Sequence, residues 1–290
     1  MSISSYPSWR LNLLRSIPFF LKFILRVFRL YKQGYQNTLD LKISHKEIEF
    51  DTLPESFHGM RILFLSDLHI GKVKEFPDAI IEKIKDIEID LCLFGGDYRY
   101  CCFTHPRLPF LEELGRIISN IRAPMGIYGV LGNHDDIARV SDIEGLGLQL
   151  LLNTSVPIER DSDKIYLVGV DEPFYYRRHD TEKAFHSVPE SAFALCLTHA
   201  PDIFREVEKH KPDLYLCGHT HHGQIRFPWL GPVVTGTTAP RKFADGLWQY
   251  KEMRGYTGPG VGSGNPSVRF LCPPEIVVLT LNSTRKKNAS

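Results

Sequence analysis

The chain of 290 residues has few features that would mark it as a membrane-spanning or disulfide-stabilised protein. Its N-terminal apolar run, residues 17–21, is far shorter than the ~20 residues that cross a bilayer. No small-residue cleavage site follows that run, so we do not expect a secretory signal peptide. Six cysteines in a chain this long do not form a disulfide framework, and Cys92, Cys196 and Cys217 lie in apolar runs typical of buried thiols.

The chain also lacks an excess of charge of either sign. It has 35 basic and 34 acidic residues, a net charge of +1. This balance argues against electrostatic binding of nucleic acid by the whole molecule, which requires a basic surface. The charge is unevenly distributed, however, because residues 1–39 contain six basic residues and no acidic one, which leaves residues 40–290 with a net charge of −5.

The basic N-terminal segment, residues 1–39, has the pattern of an amphipathic helix. Arg15, Lys22, Arg26 and Arg29 follow one another at spacings of seven, four and three, which places them on one helical stripe among apolar residues. Such a helix favours the interface of an anionic membrane, with its apolar face in the acyl boundary and its cations at the headgroups. The alternative is a helix that packs on the body of the protein or on a partner.

Residues 40–282 are predicted to form one α/β domain, because apolar strand-like runs alternate with amphipathic stretches. A strand is expected over 41–50. Helices are expected over 77–89, 109–122 and 201–211. The strands near 165–170 and 275–281 suggest a second sheet, and the polar residues 283–290 are expected to form a loose tail.

Several of the apolar runs end in side chains that bind metal ions. These residues are Asp67, His69, Asp97, Asn133, His199, His219 and His221. In the D-x-H and H-x-H pairs, residues i and i+2 of an extended strand would point the same way and reach one ion. Mixed oxygen and nitrogen ligands suit manganese, iron or zinc better than calcium.

The blocks SDLHIG, GGD, GNHD, THAPD and GHTHHGQ, in this order, resemble the calcineurin-like metallophosphoesterases over about residues 48–281. The resemblance implies a four-layer α/β/β/α sandwich, here with an N-terminal amphipathic helix, and two divalent metal ions. Manganese is the expected metal, with iron or zinc as alternatives. Carried over by position, the resemblance assigns Asp67, His69, Asp97 and His221 to one ion. It assigns Asp97, as a bridge, with Asn133, His199 and His219 to the other.

Two further residues of the GNHD block are assigned to catalysis. Two clustered cations clamp a phosphate and activate water for attack on phosphorus. His134 is then expected to protonate the leaving oxygen or to stabilise charge on the phosphoryl group. Asp135 is expected to orient His134, with a helix N-cap as the alternative role.

Substrate binding is assigned to Arg99, Arg241 and Lys242, whose cations would face phosphate groups. Arg99 follows Asp97 where many members of the family have an acid, and the alternative is a surface arginine. His222 is expected to face solvent. The stretch 174–186, together with Phe103 and its neighbours, is expected to form a cap or acyl groove.

The C-terminal part, including GHTHHGQIRFPWLGPVVTG and SVRFLCPPEIVVLTL, resembles a bacterial branch of the family. That branch contains membrane-associated phosphodiesterases and the chlamydial-type UDP-2,3-diacylglucosamine pyrophosphatase of lipid A synthesis. The resemblance implies a lipid-linked phosphate substrate and a peripheral enzyme bound to anionic phospholipids on the cytoplasmic face of the bacterial inner membrane. The alternatives are a phosphodiesterase acting on another lipid or envelope substrate, and a catalytically inactive scaffold. No ligand position is missing, which argues against the scaffold, and a nucleic-acid substrate is not expected.

Overall fold

The computed structural model describes residues 21–100, 110–232 and 234–285. These residues form fourteen strands. The first seven are β1 (Lys42–Phe50), β2 (Met60–Leu65), β3 (Leu91–Phe94), β4 (Ile127–Gly129), β5 (Gln149–Leu150), β6 (Thr154–Arg160) and β7 (Asp163–Gly169). The other seven are β8 (Ala194–Leu197), β9 (Leu214–Cys217), β10 (Arg226–Phe227), β11 (Gly231–Pro232), β12 (Gly246–Tyr250), β13 (Met253–Thr257) and β14 (Glu275–Ser283).

The described residues also form six numbered α-helices. They are α1 (Tyr31–Asn37), α2 (Phe76–Ile84), α3 (Phe110–Ser119), α4 (Val140–Glu144), α5 (Thr181–Phe185) and α6 (Phe204–Val207). Residues 21–27 are helical as well. Short 3₁₀ helices cover Glu55–Phe57, Ile137–Arg139, Pro201–Ile203, Glu208–His210, His221–Gly223 and Arg241–Phe243.

Two six-stranded mixed sheets form the centre of the molecule. The first has the order β1-β14-β2-β3-β4-β5 and the second the order β12-β13-β9-β8-β7-β6. Strands β2 to β5 run parallel to one another, as do β7, β8, β9 and β13. The carboxyl ends of parallel strands share one sheet edge, which is where open α/β sheets place their ligands.

Three apolar clusters show how the layers pack. The middle cluster lies between the sheets, where Phe64 and Leu93 of the first sheet pack with Leu216 of the second. The outer clusters pack each sheet against helices: Cys92 lies with Leu114 of α3 on one side. Cys196 lies with Phe204 of α6 on the other. This helix–sheet–sheet–helix order confirms the predicted four-layer sandwich, and Cys92, Cys196 and Cys217 are buried free thiols as expected.

The strand over 275–281 belongs to the first sheet, so its predicted assignment to a second sheet is wrong. β14 pairs parallel with β1 and antiparallel with β2. Its alternate residues face different cores, Ile276 outward and Val277 between the sheets. A strand buried on both faces has the same sequence pattern in either sheet, and only the pairing decides its place. The strand over 165–170 does lie in the second sheet, as β7.

The helix expected over 201–211 forms three short pieces. The backbone leaves helical geometry at Ile203 (φ −98°, ψ 15°), between the first piece and α6. At the C-terminus, β14 includes Ser283, and Arg285 donates hydrogen bonds to the carbonyls of Asp51 and Thr52. Residues 286–290 of the expected tail lie outside the described residues.

The N-terminal segment is helical in two pieces among its described residues. Residues 21–27 form the first, and Arg29, at φ 59°, ends it before α1 begins at Tyr31. The predicted cationic stripe is therefore interrupted at Arg29, while Lys22 and Arg26 both lie over the Tyr31 ring. Arg15 lies outside the described residues. No helix within the described ranges is both long and apolar enough to cross a bilayer.

Candidate metal centre

The loops that follow five parallel strands bring the predicted ligands together between the two sheets. Asp67 and His69 follow β2, Asp97 follows β3 and Asn133 follows β4. His199 follows β8, and His219 and His221 follow β9. Asp67, His69, Asp97 and His199 are buried, and Asn133, His219 and His221 are half-buried. All seven predicted ligands therefore meet at the common edge of the sheets.

The backbone at these loops is left-handed, which differs from the extended geometry that we expected. Asp67 has φ 54°, His69 φ 47°, Asp97 φ 56°, His219 φ 68° and His221 φ 49°. Left-handed geometry at a residue other than glycine costs about 1–3 kcal/mol and concentrates at functional sites. The two residues of each D-x-H or H-x-H pair thus reach the centre because the chain turns after the strand, and not because strand positions alternate.

One group of candidate ligand atoms, from Asp67, His69 and His221, could hold a first ion. His69 Nε2 lies 3.0 Å from His221 Nε2 and 3.8 Å from Asp97 Oδ2. His221 Nε2 lies 3.6 Å from Asp67 Oδ1. Ligand atoms of Asp67, His69 and His221 all fall within 4.8 Å of one another, close enough for one cation to bind them together.

A second group lies on the other side of Asp97. His199 Nε2 is 3.5 Å from Asp97 Oδ2, 3.0 Å from Asn133 Oδ1 and 3.2 Å from His219 Nδ1. The same Asp97 oxygen is therefore near a histidine of each group. Asp97 is therefore placed where two cations could share its carboxylate.

Three of the histidines direct one ring nitrogen at the centre and anchor the other on a backbone carbonyl. Nδ1 of His69 is 3.4 Å from the carbonyl oxygen of Arg99, and Nδ1 of His199 is 2.7 Å from that of Gly95. Nε2 of His219 is 3.1 Å from the carbonyl oxygen of Gly236. A proton on the anchored nitrogen leaves the lone pair of the other one free for a metal. The donor set therefore fits divalent cations.

Burial and the Asp97 carboxylate shift the pKa values of the histidine rings in opposite directions. Burial lowers the pKa of His69 to about 3, so this ring is neutral, as a ligand must be. Burial also disfavours charge on His199, but Asp97 outweighs it and raises the pKa of His199 to about 10. Despite its burial, Asp97 has a pKa held well below its usual range, chiefly by His199 and His134. A cation that binds at His199 therefore has to displace a proton.

His134 lies at the open side of the centre. Its backbone N–H donates to Asp97 Oδ1 at 2.8 Å, and its Nε2 lies 4.0 Å from Asp97 Oδ2. The side chain is 36% exposed, whereas that of His69 beside it is 2% exposed. His134 is thus held next to the ligands while its ring remains accessible from outside.

Asp135 does not bond to the His134 ring, so the expected orienting contact is wrong. Its carboxylate accepts hydrogen bonds from the backbone N–H groups of Asp97 (2.7 Å), Gly132 (2.8 Å) and Tyr98 (3.0 Å). The alternative, a helix N-cap, is not formed either, because the next helical turn is capped by Asp136. Burial and then Asp97 raise the pKa of Asp135 to about 7. Its role is to join the GGD and GNHD loops.

The predicted substrate-binding cations occupy different environments. Arg99 is buried and donates through Nε to the carbonyl of His134 at 3.0 Å. Its Nη2 lies 3.8 Å from Asp136 and has no hydrogen-bond partner among the described residues. Arg241 and Lys242 are exposed in the 3₁₀ helix Arg241–Phe243. Their roles toward phosphate stay predictions.

His222 does not face solvent, which corrects that expectation. Its Nδ1 lies 2.8 Å from Asp245 Oδ1, and its Nε2 lies 2.7 Å from the carbonyl oxygen of Thr257. Its side chain is only 12% exposed. His222 therefore ties the GHTHHGQ loop to the second sheet, because Thr257 ends β13.

Residues that the sequence reasoning missed support the ligands from outside. Arg269 is fully buried, and its Nη2 lies 3.3 Å from His221 Nδ1 and 2.8 Å from the carbonyl of Pro259. Lys72 lies over the Tyr100 ring near His134. A lone arginine in the apolar run SVRFL was the available signal for Arg269, because buried arginines need partners.

Of the residues expected to form a cap, Phe174 packs against His219, with their ring centroids 4.5 Å apart. Phe103 lies outside the described residues.

Gly132 allows the second loop to approach Asp97, and this predicts the effect of a substitution. A Cβ at Gly132 would overlap the Asp97 side chain and backbone. We expect Gly132→Ala to lower metal content and to reduce the free energy of unfolding by about 1–3 kcal/mol. Gly145→Ala is the control, because a Cβ there meets its nearest atom at 3.3 Å. Denaturant titration and metal analysis check this, and a Gly132→Ala protein with full metal content would contradict it.

Comparison with known proteins places this centre in a family. Residues 60–223, more than half of the chain and the part that contains every predicted ligand, match the model of the calcineurin-like phosphoesterases. An uncharacterized metallophosphoesterase of Helicobacter pylori is 30% identical over 92% of this chain and 72% of its own length. The uncharacterized metallophosphoesterase YkuE of Bacillus subtilis is 27% identical, over 87% of this chain and 90% of the relative.

Two further similarities concern a named enzyme and a solved structure. The UDP-2,3-diacylglucosamine pyrophosphatase LpxG of Chlamydia trachomatis is 27% identical over 78% of this chain and 86% of its own. Among solved structures, the NAD nucleotidase of Haemophilus influenzae covers 70% of this chain and 50% of its own, with TM-score 0.46 and 12% identity. The family match and the ligand geometry agree: this chain belongs to the calcineurin-like phosphoesterase family and is a metal-dependent phosphohydrolase.

Proposed function

We propose that this protein hydrolyses a phosphoester or pyrophosphate bond with two divalent ions, manganese in the first place, that share Asp97. One observation carries the proposal: Asp97 Oδ2 lies 3.8 Å from His69 Nε2 and 3.5 Å from His199 Nε2, between two complete groups of ligands. Iron and zinc accept the same donors. When bound, two such ions neutralise phosphate charge and activate water for in-line attack on phosphorus.

The residues around the ligands supply the remaining steps. His134, accessible and next to Asp97, protonates the leaving oxygen or stabilises charge on the phosphoryl group. Asp135 and Arg99 hold its loop through backbone contacts and leave the His134 ring free to meet the substrate.

The substrate that we propose is UDP-2,3-diacylglucosamine, cleaved by water at its pyrophosphate to UMP and 2,3-diacylglucosamine 1-phosphate (lipid X). Relatives from two Chlamydia species carry the name of this pyrophosphatase. The acid-free segment 1–39, rich in basic and apolar residues, suits a peripheral enzyme at an anionic phospholipid surface, where a diacylated substrate resides. The proposed location is the cytoplasmic face of a bacterial inner membrane.

A second candidate is a phosphodiesterase acting on another lipid or envelope substrate. The Bacillus subtilis relative YkuE, which matches 87% of this chain, is named only as a metallophosphoesterase, so similarity to it does not restrict the substrate to the lipid A precursor. The same metal centre serves either reaction, because both replace a phosphorus–oxygen bond to a leaving group by one to water.

Parallel assays of the purified protein separate the two candidates. With Mn²⁺ we expect UMP to be released from UDP-2,3-diacylglucosamine and p-nitrophenol from bis-p-nitrophenyl phosphate. An Asp97→Asn protein gives the background rate for the release of UMP and of p-nitrophenol. Turnover of the artificial diester without release of UMP would contradict the lipid A substrate and leave the phosphohydrolase assignment intact.

A further inference from the structure

A small hairpin extends from the loop that carries the last metal ligand. It comprises β10 and β11, which pair Arg226 with Pro232 and Phe227 with Gly231. At its tip Phe227 is 53% exposed, Leu230 is 65% exposed and Trp229 is fully exposed. An exposed tryptophan beside two exposed apolar neighbours is unusual for a surface that only meets water, since large apolar patches mark binding sites.

Most exposed apolar side chains of the described residues lie in the hairpin region and the N-terminal helices. Nine of the fourteen large hydrophobic side chains that are exposed fall in residues 23–30, residues 227–234 and Leu271. The remaining five are dispersed along the chain between residues 43 and 247. The exposed apolar surface is therefore concentrated in three segments.

Phe270 lies between the hairpin and α1, the helix that follows residues 23–30. Its backbone pairs with Ile225 at the base of the hairpin, and its carbonyl accepts the N–H of Arg226 at 3.0 Å. Its ring packs directly over Gly34 of α1, where an added Cβ would lie 2.5 Å from it. Helix α1 and the hairpin therefore flank the same strand-like segment, which continues into the exposed Leu271.

Basic residues outnumber acidic ones around this region, although Asp245 pairs with Arg226 at the base of the hairpin and Asp202 bonds Thr237 and Thr238. Residues 21–39, 214–244 and 258–274 contain no aspartate or glutamate. The exposed charged residues there include Arg26, Arg29, Lys32, Arg241 and Lys242. Cations near an anionic membrane surface are attracted to its headgroups, and tryptophan concentrates at the membrane interface.

We propose that the hairpin tip, residues 227–230, is a second membrane contact that inserts into the interface of an anionic phospholipid bilayer beside the N-terminal segment. This deepens the proposed function and rests on its membrane location. Trp229 at the tip is fully exposed, which suits insertion among lipids. The exposed cations Arg26, Arg29, Lys32, Arg241 and Lys242 complement anionic headgroups.

This contact orients the metal centre. Gly223 directly follows the His221–His222 pair, and a Cβ there would overlap Pro232 of the hairpin, so the hairpin rests on the ligand loop. His221 and Trp229 are eight residues apart, which limits their separation to at most about 29 Å of extended chain. A bilayer that holds the tip therefore keeps His221 within about 29 Å of the headgroup layer, where the phosphates of a lipid substrate lie.

Vesicle sedimentation of the full-length protein tests the contact. We expect binding to phosphatidylglycerol-containing vesicles that exceeds binding to phosphatidylcholine alone. In a Trp229→Ser/Leu230→Ser variant the partition coefficient should fall about tenfold or more, because two large apolar side chains no longer leave water. Leu247→Ser is the matched control, since Leu247 is 52% exposed on β12, outside this region. Hydrolysis of bis-p-nitrophenyl phosphate should be unchanged in both variants.

Fluorescence quenching gives a second measurement that does not depend on the folding of the double variant. Brominated lipids should quench a part of the tryptophan fluorescence that a Trp229→Phe protein lacks. Equal quenching in both proteins, or equal partition of the double variant and the wild type, would overturn the contact. A concentration-dependent dimer that the double variant abolishes, without vesicle binding by the wild type, would assign the tip to a second copy and also overturn it.

The outcome is separable from that of the proposed function. Vesicle binding through the tip without release of UMP from UDP-2,3-diacylglucosamine would reject the substrate and keep the contact. Release of UMP by a protein whose tip is dispensable for vesicle binding would reject the contact and keep the substrate.

Discussion

Replacing Asp97 by asparagine should abolish hydrolysis and metal binding together. The Asp97 carboxylate lies within 4 Å of both histidine groups, and its second oxygen accepts the backbone N–H of His134 at 2.8 Å. Asparagine keeps the size but removes the charge, so neither ion retains its shared ligand. Because bound metal contributes several kcal/mol to transition-state stabilisation, we expect a loss of about a thousandfold or more in kcat/KM.

The measurements are metal content after gel filtration and kcat/KM on bis-p-nitrophenyl phosphate. The matched control is Asp142→Asn, because Asp142 is an exposed acid that pairs with Arg139 on the surface. An Asp97→Asn protein that keeps two ions and normal turnover would remove Asp97 from the centre and refute the bridging position.

Replacing His134 by alanine should lower kcat by about 10²–10⁴-fold while metal content is unchanged. Asp97→Asn differs, because it should lose activity and metal together. His134 is adjacent to Asn133 and is the accessible histidine at the open side of the centre. Its loss removes a proton donor or a charge-stabilising group but none of the seven predicted ligands. His45→Ala, an exposed histidine on β1, is the control.

The choice of leaving group separates the two roles left open for His134. If its ring protonates the leaving oxygen, the loss in His134→Ala should grow as the leaving group becomes more basic, from p-nitrophenol to an alkyl alcohol. A constant loss across the series would favour charge stabilisation on the phosphoryl group. Full activity of His134→Ala on every substrate would exclude both roles.

The ligands could be predicted from sequence because their chemistry is local. Each of Asp67, Asp97 and His199 directly follows a short apolar strand, and in a parallel sheet such positions share one edge. The left-handed backbone at these residues could not be predicted, because the D-x-H spacing is equally consistent with an extended strand. The sequence therefore predicted which residues meet at the centre, but not the backbone conformation that brings them there.

The supporting contacts depend on residues far apart in the chain and were not visible in the sequence. Asp135 bonds backbone groups of Asp97 and Tyr98, nearly forty residues earlier, although a carboxylate next to a histidine is usually expected to orient that ring. Arg269 meets His221 across 48 residues. For the same reason the sheet membership of β14 followed from pairing and not from its own pattern.

The place of β14 has a consequence for synthesis of the chain on the ribosome. β14 lies between β1 and β2, so the first sheet has a gap until residues 275–283 have been translated. Asp67, Asp97 and Asn133 are translated early, yet the strand that closes the sheet next to β2 follows the other thirteen described strands. Pairings between distant segments form slowly and expose strand edges meanwhile. The nascent chain therefore has to keep β1 and the β14-facing edge of β2 unpaired until β14 has been synthesised, and a nonsense codon before residue 275 should yield a product that cannot complete its first sheet.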